Sequence, residues 1–371
     1  MTNIEISTTH VKVPNNDLQI DAYLAQPAST GTFGAVIVFQ EIFGVNSNIR
    51  DITELIAKQG YVAVAPAMYQ RIAPGFEADF SPEDVGYSPE AYRQGLQYYQ
   101  QVKYQEIFSD IQATIAYLKT LPNVKADSIG AIGFCFGGHV AYMAATLPDI
   151  KATASFYGGG ITTSSYGEDT PTLNRTAEIK GTIYAFFGTR DSLVSQEENE
   201  EIEAELKKHK INHRIFRYDA GHGFFAGFFV DQYPFMEQHP SYNKEAAPDA
   251  WKHVLELFQN NLWNLHTLKS LISNLGMKPE EAFRHRIEGV ANAVQFYCFN
   301  CPADGKDTQA IALVGMTAKT TDRDRYIRNN IFSPGLELHN YSPSRLRACC
   351  MPFSKARIRW YRYPVPQNNL R

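Results

Sequence analysis

Short apolar runs alternate with longer amphipathic segments along the first two thirds of the chain. The apolar runs predict strands at residues 34–41, 61–66, 129–134, 152–157, 182–187 and 213–218. The segments between them have apolar residues at helical spacing, as Ile49, Ile52 and Ile56 show. This alternation predicts an α/β fold with a mainly parallel sheet covered by helices on both faces.

Residues 67–104 interrupt the alternation with three prolines and several tyrosines. This composition predicts a loop and a short helix lying over the sheet. Such a segment commonly forms one wall of a substrate pocket. For any single aromatic residue in it, a purely packing role is an equal alternative.

The stretch 129–138 predicts a buried strand that turns sharply into a helix. Its Gly133-x-Cys135-x-Gly137 spacing matches a nucleophile elbow with sulfur in place of oxygen. Such a turn needs small residues on both sides of the nucleophile, and the helix N-terminus favours a thiolate. The alternative is a glycine-rich turn whose cysteine is only a small buried apolar residue.

Four chemically capable side chains each follow a predicted strand: Glu41, Cys135, Asp191 and His222. Because parallel strands end at the same edge of a sheet, we expect all four to lie on one rim. Taken alone, Asp191 is typical of an ordinary loop residue. Residues 221–223, taken alone, are typical of an ordinary turn. The order nucleophile, acid, histidine is that of α/β-hydrolases, and together the residues predict a catalytic triad.

These residues belong to segments that resemble the dienelactone hydrolase family, also called carboxymethylenebutenolidase. The resemblance covers about residues 5–263. It is carried by residues 40–46, 133–138, 188–191 and 220–224.

The resemblance implies an α/β-hydrolase fold and a triad of Cys135, His222 and Asp191. It also implies an oxyanion hole formed by the backbone N–H groups of Ile42 and Phe136, with no metal ion and no organic cofactor.

Glu41 has an implied role as well: its carboxylate contacts the thiol in the resting enzyme and is displaced when substrate binds. The physical chemistry supports this role independently. A free thiol has a pKa of about 8.5 and is mostly neutral until a cation lies beside it. A buried carboxylate next to the sulfur opposes ionisation of the thiol and so reduces oxidation of the thiol when no substrate is bound.

Family members that cleave dienelactone hold the substrate carboxylate with two arginines, and the matching positions here are Ser88 and Ala226. Neither side chain can form a bidentate salt bridge with a carboxylate. We therefore expect an apolar acyl or alcohol group rather than a dianion. The weaker substrate-binding candidates are Arg71, Tyr92, Arg93 and Phe224.

Charge and cysteine content divide the chain. Residues 1–263 hold 19 Lys and Arg against 31 Asp and Glu, a net charge of −12, whereas residues 264–371 hold 16 against 8, a net of +8. Cys135 is the only cysteine of the first segment, which suits a nucleophile in a reducing compartment. We therefore predict a hydrolase domain at 1–263 and a basic C-terminal extension at 264–371.

The extension has no clear strand and helix alternation, so we expect an irregular appendage. Cys298 and Cys301 are far from the adjacent pair Cys349 and Cys350, a poor match to zinc-ribbon spacing. Basic and aromatic residues interleave at 357–363, as in binders of single-stranded nucleic acid. One short run is weak evidence, so nucleic acid is not expected as a partner.

The pattern excludes a membrane protein, since no run reaches the roughly 18 apolar residues of a membrane span. The polar start has no secretory leader, and we expect a cytoplasmic monomer or homodimer. The leading hypothesis is a hydrolase that cleaves a small-molecule ester or lactone through an acyl-Cys135 intermediate. A thioesterase on the same triad and a non-catalytic protein whose basic tail binds nucleic acid or an acidic partner are the alternatives.

Overall fold

The computed structural model describes residues 4–163, 166–168 and 170–262 and, further along the chain, four short strands. The chain divides into two units, Met1–Leu271 and Ile272–Arg371. Each unit is described by itself.

A single sheet of eight strands organises the first unit. The strands are β1 (Ile6–Asn15), β2 (Leu18–Pro27), β3 (Phe33–Phe39), β4 (Val62–Pro66), β5 (Val124–Phe134), β6 (Ile150–Phe156), β7 (Thr182–Gly188) and β8 (His213–Tyr218). Their order is β1-β2-β4-β3-β5-β6-β7-β8. The β1–β2 and β2–β4 pairs are antiparallel and the remaining pairs are parallel. The predicted mainly parallel sheet is confirmed, with β5 near its centre.

The helices lie where the amphipathic segments predict them. They are α1 (Ser47–Ala57), α2 (Pro89–Tyr99), α3 (Tyr104–Thr120), α4 (Phe136–Ala145), α5 (Gln196–Lys208) and α6 (Ala246–Asn261). Side chains cap three of them: Asn46 Oδ1 accepts the N–H of Ile49, Ser88 Oγ that of Ala91 and Ser195 Oγ that of Glu198, each at 3.1 Å. Such caps satisfy amides that have no partner within the helix.

Both faces of the sheet are buried, as β3 shows. Ala35, Ile37 and Phe39 pack on one side with residues of α3 and α4. Val36 and Val38 pack on the other side with residues of α1 and α6. Burying each larger aliphatic side chain contributes about 1.5–3 kcal/mol to folding, which explains why β3 reads as a continuous apolar run.

The second unit contains β9 (Gln295–Ala303), β10 (Lys306–Val314), β11 (Leu336–Leu338) and β12 (Ala348–Cys350). The β9–β10 pair is antiparallel, with Gln295 opposite Val314, and β11 pairs with β12 in the same sense. The sequence pattern predicted none of these strands. The basic stretch 357–363 lies outside the described residues.

Within the described part of the chain, no helix combines the length and the apolar character needed to cross a membrane. No group of three or more His, Cys, Asp or Glu side chains in that part is placed to hold a metal ion.

Candidate active site

Cys135 lies at the sharp turn between β5 and α4. Its φ of 54° and ψ of −117° are a rare conformation for a residue with a side chain. A Cβ on Gly133 would lie 1.9 Å from the carbonyl oxygen of Gly137, and one on Gly137 would lie 2.2 Å from that of Phe39. The flanking glycines are therefore required by close backbone approach, as the elbow spacing predicts.

His222 and Asp191 are hydrogen-bonded partners. His222 Nδ1 lies 2.8 Å from Asp191 Oδ2, and the Asp191 side chain is fully buried. The other carboxylate oxygen accepts the N–H groups of Leu193 at 2.8 Å and Val194 at 3.0 Å. Because three contacts hold the carboxylate, the orientation of the imidazole is fixed. The buried Nε2 of His222 has no hydrogen-bond partner among the described residues.

The charge state of His222 depends on its two neighbours. Burial lowers its pKa, but the negative charges of Cys135 and Asp191 outweigh burial and raise the pKa to about 10. His222 therefore holds a proton strongly once Cys135 has lost its own, as a general base for the thiol must. A cation beside a sulfur favours the thiolate, which is the nucleophilic form of cysteine.

Glu41 follows β3 and is buried, with a hydrogen bond from Tyr87. Tyr87 Oη donates to Glu41 Oε2 at 3.2 Å, and Asn46 Nδ2 donates to Tyr87 Oη at 2.9 Å. The resemblance implied a contact between this carboxylate and the thiol, whereas the hydrogen bond that the structure shows joins it to Tyr87. Tyr87 also stacks on Phe43, with ring centroids 3.4 Å apart. Neither Tyr87 nor Asn46 was expected from the sequence to be a site residue.

The pKa of Glu41 is raised by burial, an effect that the charge of His222 and the Tyr87 hydrogen bond oppose. A raised pKa means that holding the ionised form destabilises the fold at neutral pH. This penalty disappears as the pH falls through the ordinary pKa of 4.5, where folded and unfolded chains are both protonated.

We therefore expect Glu41→Gln to raise the thermal unfolding midpoint at neutral pH, with a gain that shrinks toward acid pH. Thermal unfolding of both proteins between about pH 4 and pH 8 measures this difference. Glu237→Gln changes an exposed carboxylate and is the control. A midpoint for Glu41→Gln that is lower than the wild type at neutral pH would contradict the prediction.

Ile42 and Phe136 carry the two N–H groups expected to form the oxyanion hole. Ile42 follows Glu41, and Phe136 is the first residue of α4. Helix α2 approaches the first of these peptides closely, since a Cβ on Gly95 would lie 2.6 Å from the Ile42 carbonyl oxygen. Phe136 follows Cys135 in sequence, and Ile42 follows the strand that pairs with β5.

The two candidate arginines have other partners. Arg71 Nη2 lies 2.7 Å from the buried carboxylate of Asp110, and the exposed Arg93 pairs with Glu90 on α2. Ser88, where the resemblance implies an arginine in relatives that cleave dienelactone, is the N-cap of α2. These contacts give neither arginine a free guanidinium fork for a substrate carboxylate.

The two candidate aromatic residues differ in exposure. Tyr92 is 42% exposed, and its pKa is raised to about 12 by burial of the hydroxyl and by the charges of Glu41 and Cys135. Phe224 is fully buried against Tyr157, with ring centroids 5.4 Å apart. Tyr92 is therefore partly open to solvent, whereas Phe224 belongs to the core.

Comparison with known proteins agrees with this fold. Residues 20–262 match the model of the dienelactone hydrolase family. A relative from Synechocystis sp., provisionally named as a carboxymethylenebutenolidase, is 51% identical over 260 residues, which cover 70% of this chain and 99% of the relative. One with the same provisional name from Methylorubrum extorquens is 30% identical over 260 residues, 67% of this chain and 79% of its own length.

A solved structure shows the same fold. The crystal structure of a provisionally assigned dienelactone hydrolase from Klebsiella pneumoniae superposes with a TM-score of 0.57 at 24% identity. The match covers 68% of this chain and 98% of that one. The fold is therefore that of an α/β-hydrolase, and the chain belongs to the dienelactone hydrolase family.

Proposed function

We propose that this hydrolase cleaves a carboxylic ester or lactone through a covalent acyl-enzyme on Cys135. The observation that carries the proposal is the state of His222. Its Nδ1 is bonded to Asp191, its buried Nε2 is unpartnered, and its pKa responds to the charge of Cys135. This is the arrangement of a base that an acid orients toward a nucleophile.

The proposed reaction begins when substrate binding moves Glu41 away from the centre of the site. The Cys135 proton passes to His222 Nε2, and the thiolate attacks the carbonyl carbon. The resulting oxyanion accepts hydrogen bonds from the N–H groups of Ile42 and Phe136. The carbon–oxygen bond to the leaving group then breaks as His222 returns the proton to that oxygen.

Water completes the cycle. His222 takes a proton from a water molecule, whose oxygen attacks the thioester carbonyl, and the acid leaves as the proton returns to the sulfur. The residues carry out this sequence without a cofactor.

We propose a neutral, partly apolar substrate. Ser88 caps a helix, Ala226 is small and buried, and Arg71 and Arg93 are paired with carboxylates. An exposed Tyr92 at the rim offers an apolar ring and a hydroxyl. These features favour an ester with an aryl or alkyl group over a dicarboxylate.

Rapid mixing with para-nitrophenyl butyrate tests the proposed intermediate. We expect a burst of nitrophenolate and, after an acid quench, a butyryl group located by peptide mass spectrometry on Cys135. Cys135→Ala should show neither, whereas Cys301→Ala, a cysteine outside the hydrolase domain, should keep both. Turnover by Cys135→Ala at the wild-type rate, or a butyryl group on another residue, would overturn the proposal. Profiling against thioesters with the same acyl group separates an esterase from a thioesterase.

A further inference from the structure

Tyr69 has a buried hydroxyl that no described residue satisfies. The side chain is 2% exposed, and its Oη makes no hydrogen bond within the described part of the chain. A buried hydroxyl without a partner destabilises a protein, and buried tyrosines usually find a partner. A hydroxyl left unpaired in the free protein therefore points to a ligand that pairs with it.

The surroundings of Tyr69 place it beside the nucleophile. Its ring lies nearly parallel to that of Phe136, the residue after Cys135, with centroids 5.6 Å apart and an interplanar angle of 17°. Burial and the negative charges of Cys135 and Tyr99 raise the pKa of Tyr69 well above its ordinary value. The hydroxyl therefore keeps its proton and remains a hydrogen-bond donor at working pH.

The strand order indicates which side of Cys135 this donor occupies. Tyr69 follows β4 and Ile42 follows β3, and both strands lie on one side of β5. Asp191 and His222 follow β7 and β8 on the other side. If His222 protonates the leaving group from its own side, as proposed above, the substrate carbonyl oxygen lies on the Tyr69 side of Cys135.

Gln40 links the Tyr69 turn to the oxyanion segment. This buried side chain accepts the N–H of Met68 on Oε1 at 3.0 Å and donates from Nε2 to the carbonyl of Glu41 at 3.3 Å. Met68 precedes Tyr69, and Glu41 precedes Ile42. The Gln40 side chain therefore links the segment that carries the Tyr69 hydroxyl to the segment that carries the Ile42 N–H. A fixed distance between these two segments is what two donors to the same oxygen need.

We propose that Tyr69 is a catalytic residue whose hydroxyl donates a third hydrogen bond to the substrate carbonyl oxygen as that oxygen becomes an oxyanion. It acts beside the N–H groups of Ile42 and Phe136. The inference rests on the proposed function, because it assumes attack by Cys135 on a carbonyl. It adds a side-chain donor to the two backbone donors.

Tyr69→Phe removes the hydroxyl and keeps the ring. We expect kcat/KM for para-nitrophenyl butyrate to fall about 100-fold, mainly through kcat, because the bond is strongest in the transition state. The thermal unfolding midpoint should be unchanged or higher, since an unpaired buried hydroxyl is lost. Tyr142→Phe is the matched control: its Oη lies 2.6 Å from Thr176 Oγ1, so the variant should lose stability and keep its kcat.

A trifluoromethyl ketone, 1,1,1-trifluoro-4-phenylbutan-2-one, separates the two proposals because it forms a tetrahedral adduct with a catalytic thiol. We expect an adduct on Cys135 in both proteins, with an inhibition constant about 100-fold weaker in Tyr69→Phe. Equal inhibition and equal kcat in the two proteins would overturn the role of Tyr69 while leaving the proposed function intact. A wild type that forms no adduct on Cys135 would overturn both.

Discussion

His222→Ala is expected to lose at least about 10⁴-fold in kcat/KM while keeping its fold. Without the imidazole, no group takes the thiol proton, and none returns a proton to the leaving oxygen. Asp191 remains satisfied by the N–H groups of Leu193 and Val194, so the variant leaves no carboxylate buried without partners. Steady-state hydrolysis of para-nitrophenyl butyrate measures the loss, and thermal unfolding checks the fold.

The pH dependence identifies the cause of that loss. The raised pKa of His222, about 10, predicts that wild-type kcat/KM falls as the pH rises through that value, because the imidazolium loses its proton. In His222→Ala, the residual activity should lack this alkaline decline, because no imidazolium is present to lose a proton. His209→Ala, a histidine paired with Glu205 on α5, should match the wild type. A wild-type profile in His222→Ala would contradict the assignment of the base.

Gly137→Ala is expected to lower the free energy of unfolding by at least about 3 kcal/mol and to remove activity. The added Cβ would lie 2.2 Å from the carbonyl oxygen of Phe39 and 2.5 Å from that of Gln40. Both contacts are to backbone, so β3 and α4 must move apart. That movement displaces both N–H groups of the predicted oxyanion hole.

Urea unfolding and ester hydrolysis together test this prediction. Gly159→Ala is the matched control because its added Cβ meets only the flexible side chain of Val194, at 3.2 Å, and the carbonyl oxygen of Leu193 at 3.8 Å. We expect the control to unfold near the wild-type urea concentration and to remain active. A Gly137→Ala protein with wild-type stability would show that the elbow has more room than these distances allow.

Much of the fold could be predicted from local pattern. The apolar run 152–157 indicated β6, which the structure places at Ile150–Phe156. The last residue of the predicted run, Tyr157, lies outside the strand and has a φ of 38°. Periodicity detects an element well because many residues contribute, whereas a boundary depends on one or two backbone angles.

The candidate site was predictable only in part. Strand ends placed Glu41, Cys135, Asp191 and His222 on one rim, because topology alone brings such positions together. The bond between Tyr87 and Glu41 joins residues 46 positions apart and leaves no spacing signal. Whether a tyrosine hydroxyl is satisfied depends on the packed structure and cannot be read from the sequence.

Some missed features had a usable signal. Ser88 is followed by Pro89, and a serine before a proline is a typical start of a helix. That pattern alone indicates a capping role. The pairing of Arg71 with Asp110 had no such signal, because the two residues are 39 positions apart.

The backbone at Cys135 has a consequence for the energetics of turnover. Its N–H donates to Phe156 O at 3.1 Å, and its carbonyl accepts the N–H of Gly138 at 2.9 Å, so the unusual φ is fixed from both sides. The Cys135 sulfur therefore samples few orientations. The conformational entropy of aiming the nucleophile is lost once, when the chain folds, rather than at each reaction, and the activation entropy of acylation should reflect mainly the ordering of the substrate.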